Sequence, residues 1–273
     1  MANLVTIDDI RNTSGATTEL IADAKITDII TKSQAQALSS LKIFTEPTKQ
    51  LEIRDGNGKN SIKLNKPYVW KVLKLETVNT EIDLDNITIE PISSIITIDN
   101  TQNPYYFYPQ KNSVKIKYLS AFMEKTTTIT ETTADIEVGT SVDISVDSET
   151  GFSDDDWVLI EGLDGKREAT KITGTDTGEI TVDELVQDHE ADSVITLLQT
   201  HELLTQYILY DTSTNVANYI VGNTSNLPTS WSQEGESATI GVAYTHWRES
   251  ADKFAKKRDE FKSKILAKLN PIA

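Results

Sequence analysis

All of the chain's net charge sits in one stretch, and that asymmetry limits the possible architecture more than any motif does. Residues 126–199 hold 19 Asp/Glu against three Lys/Arg (Lys166, Arg167 and Lys171), whereas the rest of the chain holds 23 acidic and 23 basic side chains. The formal net charge of −16 therefore belongs to a segment set apart in composition, and the residue pattern changes at its ends as well. Inside it, short runs (Ala134–Val138, Asp143–Val146, Asp156–Ile160, Glu168–Thr173, Glu179–Val182, Ser193–Leu197) alternate with Gly, Asp and Ser turns at a spacing of about ten residues. This predicts an inserted acidic β module, a small all-β barrel or sandwich over 126–199, with Trp157 as its large core aromatic.

The flanks follow other periods. Thr6 with Asp9 three residues on predicts a capped helix start, Asn12 to Thr18 a turn, and Ile26, Ile29, Ile30, Ala37, Leu38 and Leu41 a second, amphipathic helix ending near Phe44. From Thr45 the pattern alternates. Leu51-Glu52-Ile53-Arg54 and Ser61-Ile62-Lys63-Leu64 flank Asp55-Gly56-Asn57-Gly58, which predicts a β-hairpin. Strands are expected at Val69–Val78, Ile87–Ile89, Ile95–Ile98, Tyr105–Tyr108 and Val114–Leu119, broken by Pro67, Pro91, Pro104 and Pro109.

After Thr200, helical spacing returns at Leu203, Leu204, Tyr207 and Ile208, with β-branched residues weakening it beyond Thr212. A last helix from about Ala243 shows Trp247, Phe254, Phe261 and Lys268 seven apart, interleaved with Ala251, Arg258 and Ile265. The expected fold class is α+β. Residues 1–125 plus 200–273 form one discontinuous domain of helices and antiparallel sheet, and 126–199 is the module inserted into it.

The chemistry-bearing residues are sparse. No cysteine is present, which removes disulfides, thiolate metal sites and thiol nucleophiles. His189, His201 and His246 lack the three- or four-residue spacing that puts two imidazoles on one helix face. No Gly-x-Ser-x-Gly phrase occurs, and Gly58-Lys59-Asn60-Ser61 enters a strand where a phosphate loop would enter a helix. Asp154-Asp155-Asp156 lacks Ca²⁺-loop spacing and reads as a solvated turn. Neither an enzymatic activity nor a cofactor or metal is expected. After Met1 no basic start precedes an apolar stretch, and apolar runs stay far below the roughly 20 residues of a membrane span. Neither a targeting segment nor a membrane partner is expected. The acidic balance opposes non-specific nucleic-acid affinity, although the last helix carries eight basic and four acidic residues between Arg248 and Lys268.

The N-terminal helix pair over Ile7–Phe44, the phrase Leu51 to Gly58 leading to Ile62-Lys63-Leu64-Asn65-Lys66-Pro67-Tyr68-Val69, the strand Val114-Lys115-Ile116-Lys117-Tyr118 and a closing helix Glu202–Asn215 together resemble the head-tail connector (adaptor) proteins of tailed phages and related archaeal viruses. The likeness covers about half the chain; the module 126–199 and the tail 223–273 depart from the smaller members. The resemblance implies a connector domain and a virion structural role. Copies would form a homo-oligomeric, twelve-membered ring in the neck between the portal protein and a tail or neck protein, continuing the channel through which DNA passes transiently. The protein would be found in the host cytoplasm during assembly. On that resemblance the expected assembly contacts are Leu51, Ile53, Ile62 and Leu64 on the hairpin and Trp247, Phe254, Phe261 and Ile265 on the last helix. Two other readings are another neck or tail-completion protein, and a β module over 126–199 that binds carbohydrate or protein through Trp157 and nearby loops; paired carboxylates with Trp157 and Trp231 as sugar-stacking surfaces would suit glycoside hydrolysis, but an abundance of acids does not place them.

Overall fold

A computed structural model describes residues 3–78, 80–98, 107–224, 231–233, 236–238 and 241–269. The chain is mixed α+β and divides into two compact units, Phe44–Thr200 and the combination of Met1–Ile43 with His201–Ala273.

Unit Phe44–Thr200 contains strands β1 (Thr48–Arg54), β2 (Ser61–Lys63), β3 (Val69–Thr77), β4 (Thr80–Ile82), β5 (Ile87–Glu90), β6 (Ile95–Ile98), β7 (Val114–Ser120), β8 (Met123–Glu131), β9 (Gly139–Ser145), β10 (Trp157–Glu161), β11 (Arg167–Asp176), β12 (Glu179–Leu185) and β13 (Val194–Thr200). They build three antiparallel sheets, in the orders β1-β7-β3-β4, β2-β6-β5 and β8-β13-β10-β11-β12-β9. The four- and three-stranded sheets share one apolar core, which includes Ile62, Val72, Leu75, Ile96, Phe107, Ile116 and Tyr118. Alternation produces it: in β7 Val114, Ile116 and Tyr118 are buried, while Lys115 is half-buried and Lys117 exposed. The six-stranded sheet encloses a second core with Ile144, Phe152, Val158, Ile160, Ile172, Ile180 and Val182. Its edge strands meet at one end, where Thr132 bridges Val146 and the Asp147 N–H donates to the Glu131 carbonyl (3.0 Å).

Several expectations change here. Leu51–Arg54 and Ser61–Leu64 do hold strands, but they are not a hairpin: β1 pairs with β7, and β2 with β6 in another sheet. The intervening glycines serve a different contact. Gly56 N–H donates to the Gln110 carbonyl (3.0 Å) and Gly58 N–H to that of Phe107 (2.7 Å). A Cβ on Gly56 would lie 1.7 Å from the Tyr108 carbonyl oxygen, so glycine is needed for close backbone approach and not for a two-residue turn. Ala134–Val138 contributes an isolated bridge at Ile136 and no strand. The strand expected at Tyr105–Tyr108 begins outside the described residues, and Phe107 and Tyr108 are not in a strand. Phe152 is the buried aromatic of the acidic sheet; Trp157 is only half-buried, because alternation along β10 turns Val158 and Ile160 inward.

The division of the chain also differs from the expected one. Residues 44–125 belong with 126–199, so the charge boundary is not the boundary between compact units. Buried and half-buried polar contacts explain this: Lys71, Leu84, Asp85 and Ile87 on one side bond Glu168, Glu184, Gln187 and Lys166 on the other.

The other unit comprises α1 (Ile7–Ser14), α2 (Asp23–Leu41), α3 (Glu202–Thr224), a two-stranded ribbon of β14 (Trp231–Gln233) and β15 (Glu236–Ala238), and α4 (Gly241–Leu269). The Thr6–Asp9 capping box is present, with Asp9 N–H donating to Thr6 Oγ1 (3.2 Å) and Thr6 N–H to Asp9 Oδ2 (2.8 Å). The Thr6 N–H and then the Thr6 hydroxyl, both donating to the Asp9 carboxylate, hold it below its ordinary range. Helix α3 packs against α1, α2 and α4. It runs well past Thr212 because burial of Thr212, Ser213, Val216, Ala217 and Ile220 outweighs the poor helix propensity of β-branched residues. The Thr214 hydroxyl is satisfied by the Tyr210 carbonyl one turn back (2.7 Å). On α4, Trp247, Ala251 and Ile265 are buried, and Phe261 stacks on Tyr210 with ring centroids 5.7 Å apart.

Candidate functional site

Two places in unit Phe44–Thr200 concentrate polar groups in unusual settings. The first is buried. Lys71 on β3 places Nζ 3.0 Å from Glu168 Oε2 on β11, with both side chains almost wholly enclosed, and donates to the Glu184 carbonyl. Glu168 also accepts from the Val186 and Gln187 N–H groups, and His189 Nε2, protonated in the tautomer this contact selects, lies 3.2 Å from Oε1. Burial acts to raise the Glu168 carboxyl. The His189 bond, the Lys71 ammonium and the Val186 N–H outweigh it and hold the group below the ordinary carboxylate range. Gln187 extends the network, its Nε2 donating to the Leu84 (2.6 Å) and Ile87 (3.0 Å) carbonyls. With its carboxylate occupied by an ammonium, an imidazole and two backbone donors, Glu168 is a structural anchor between sheets.

The second place is open. Strand β1 ends the four-stranded sheet, and its register against β7 runs unbroken for seven residues. Leu51 is 73% and Ile53 53% exposed, on the same face as Lys49 and opposite Lys117 and Lys115 of β7. Lys49 and Lys117 have no ion-pair partner among the described residues, whereas Lys115 lies 3.4 Å from Glu76. The other edges are blunted in the ways proteins avoid stray pairing. Strands β2 and β4 have three residues and β5 four; β9 carries Ser141 at φ 53°; β8 breaks register between Ile129 and Lys125. Among the described strands, an unbulged seven-residue edge with two exposed aliphatic side chains is therefore the exception.

The expected contact residues part company here. Leu51 and Ile53 are surface residues. Ile62, Leu64, Trp247 and Ile265 are not: each is under 9% exposed and packed into the protein's own interior. Phe254 and Phe261 are half-buried against Tyr210, so charged replacements would disturb the packing of α3 with α4 before reaching a neighbour. Among the proposed ligand positions, Asp155 pairs with Lys171 (2.6 Å) and Asp156 accepts the Ser153 N–H (2.9 Å), both as turn contacts. Trp157 is half-buried in the middle of a sheet, and the Trp231 side chain lies outside the described residues.

The buried anchor went unnoticed in the sequence, although one signal was available. Lys71 interrupts an apolar run, Val69-Trp70-Lys71-Val72, and a lysine there needs a buried partner. Among the described residues no helix is long and apolar enough to cross a membrane, and no three His, Asp or Glu side chains gather as a metal site would need. No protein-family model matches the chain, and no curated protein matches it.

Proposed function

We propose that this protein is a virion structural component, a head-to-tail adaptor whose copies form a ring between portal and tail and continue the DNA channel. The observation that carries this reading is β1: one long, unprotected sheet edge bearing Leu51 and Ile53, where the other edges of the described sheets are short, bulged or, in β9, kinked at Ser141. A surface of that kind is stable against aggregation when another chain regularly covers it. The helical unit agrees with the resemblance, with an N-terminal helix pair whose first member is capped and a helix at Glu202 that continues to Thr224. The hairpin does not contribute support, since its two strands belong to different sheets. An acidic module in such a ring would repel DNA, which favours passage without sticking.

The test is electron microscopy of the purified protein at high concentration, classified for rotational symmetry, followed by mixing with portal rings. A closed ring with a central hole that stacks coaxially on the portal is the expected result. Particles that remain monomeric and fail to co-sediment with the portal would overturn the adaptor reading.

A further inference from the structure

We infer that the Lys49–Leu51–Ile53 row of β1 docks on the exposed Ile129–Glu131 end of β8 in a second copy of the same chain. This rests on the ring reading above and deepens it by naming the contact. Ile129 is 63% exposed, and Glu131 beside it is exposed with no ion-pair partner among the described residues. Along β8 the residues facing outward are Lys125, Thr127, Ile129 and Glu131. Spacing is two residues in both rows. Run antiparallel, the two rows set Leu51 against Ile129 and Lys49 against Glu131, so an aliphatic pair and an ion pair form together. Run parallel, Lys49 would meet Thr127 and Ile53 would meet Glu131, which loses the ion pair.

Leu51 and Ile129 are both exposed, so they do not cover each other within one copy. The contact joins two different patches, and a contact of that type repeats head to tail, closing a ring or extending a filament. Charge favours a second copy as the occupant. Lys49 and Lys117 have no ion-pair partner among the described residues, and the β8 strand belongs to the sheet whose segment holds the chain's entire acidic excess. The Glu131 carbonyl already accepts from Asp147 N–H and Thr132 already bridges Val146, so this end of β8 has its backbone satisfied. The docking is therefore between side-chain rows and not an added strand.

The absence of cysteine makes the test direct, because introduced thiols have no competitor. Full-length Leu51→Cys and Ile129→Cys proteins are oxidised separately and as a mixture, with Leu163→Cys, 73% exposed on a turn, as the control for random collision. A disulfide dimer from the mixture alone, and a ladder of oligomers from the chain carrying both substitutions, are expected. Adding Lys49→Glu to the Leu51→Cys chain should lower the mixed cross-link about tenfold, and adding Glu131→Lys to its partner should restore it. Efficient Leu51→Cys homodimers would overturn the proposal in favour of β1 pairing with itself. A mixed cross-link no stronger than the Leu163→Cys control would overturn it outright. Wild-type rings in the micrographs alongside that negative result would keep the adaptor reading and reject this contact, whereas a ladder that never closes would keep the contact and reject the ring.

Discussion

Two lysines three residues apart on β3 meet glutamates at nearly the same distance, and their surroundings could hardly differ more. Lys71 lies 3.0 Å from Glu168 with side chains 3% and 0% exposed; Lys74 lies 2.9 Å from Glu76 and 3.2 Å from Glu81 with 43% of its own side chain exposed. A bulge between Val72 and Lys74 keeps both lysines on one face of the sheet, opposite Leu119 and Lys117 of β7, so the covering of that face differs along the strand. One pair has given up its water and depends on every hydrogen bond around it. The other remains solvated, and water can replace each partner. Separation alone is thus a poor guide to what an ion pair does for stability; the completeness of desolvation decides it.

The strongest way to break this comparison is to remove half of the buried pair. Lys71→Met leaves the Glu168 carboxylate enclosed without its cation, and Glu168→Gln leaves the ammonium enclosed. Each is expected to cost about 3–5 kcal/mol in urea or guanidinium unfolding. The double substitution should cost less than the sum, since it strands no charge. A loss below that of an ordinary surface substitution would show that the pair is wetter than its enclosure implies.

Acid provides a second probe of the same group. Because the folded protein holds Glu168 below its ordinary value of 4.5, the carboxylate's contribution is fully present above that value and is lost as the pH falls through the lowered one. Unfolding curves taken through that range should therefore lose stability more steeply in the wild type than in Glu168→Gln. Parallel pH profiles would contradict the assigned direction.

The intermediate case is Glu52 on β1. Its side chain, 9% exposed, accepts from Arg54 Nη1 (2.7 Å), from the Tyr118 hydroxyl (2.9 Å) and from the Asn65 N–H (3.2 Å). Burial, and then the Glu52 carboxylate, push the Tyr118 phenol well above its ordinary value. Tyr118→Phe removes one charge-assisted bond and leaves the other donors, so the expected cost is about 1.5 kcal/mol, read from the denaturant midpoint at constant slope. A value matching Lys71→Met would mean that Glu52 behaves as a fully enclosed charge.

These three settings also explain what could be read in the chain beforehand. The capping pair Thr6–Asp9 and the alternation of Val114–Leu119 are local signals, and both elements formed where expected. Pairing was not local. The Gly56-Asn57-Gly58 phrase carries a hairpin signature, yet β1 finds β7 some sixty residues away, and the glycine is used to let the Tyr108 backbone approach. Strand β8 was missed because Lys125-Thr126-Thr127-Thr128 has no apolar alternation, although its β-branched threonines suit a strand. The charge map separated the acidic sheet in composition but not as a compact unit, because Lys71, Asp85 and Gln187 cross that boundary. For the surface row, sequence supplied the alternation of Leu51 and Ile53; only the sheet order shows that they lie on an edge while Ile62 and Leu64 lie in a core.

The smallest expected effect sharpens the comparison most. Lys74 has its ammonium held above the ordinary range chiefly by the hydrogen bond to Glu76, then by Glu81, and Glu76 is correspondingly lowered by Lys74. Those directions equal in kind what Lys71 and His189 do to Glu168, so a view based on charge pairing would rank the two lysines together. Solvent screening argues otherwise, since exposed pairs commonly contribute nothing measurable. Lys74→Gln should leave the unfolding midpoint unchanged at low salt and at high salt alike. A midpoint that falls at low salt and recovers the wild-type value at high salt would show that Lys74, Glu76, Glu81 and Lys115 act as a network. That outcome would restore charge pairing, and not burial, as the quantity that ranks the two lysines of β3.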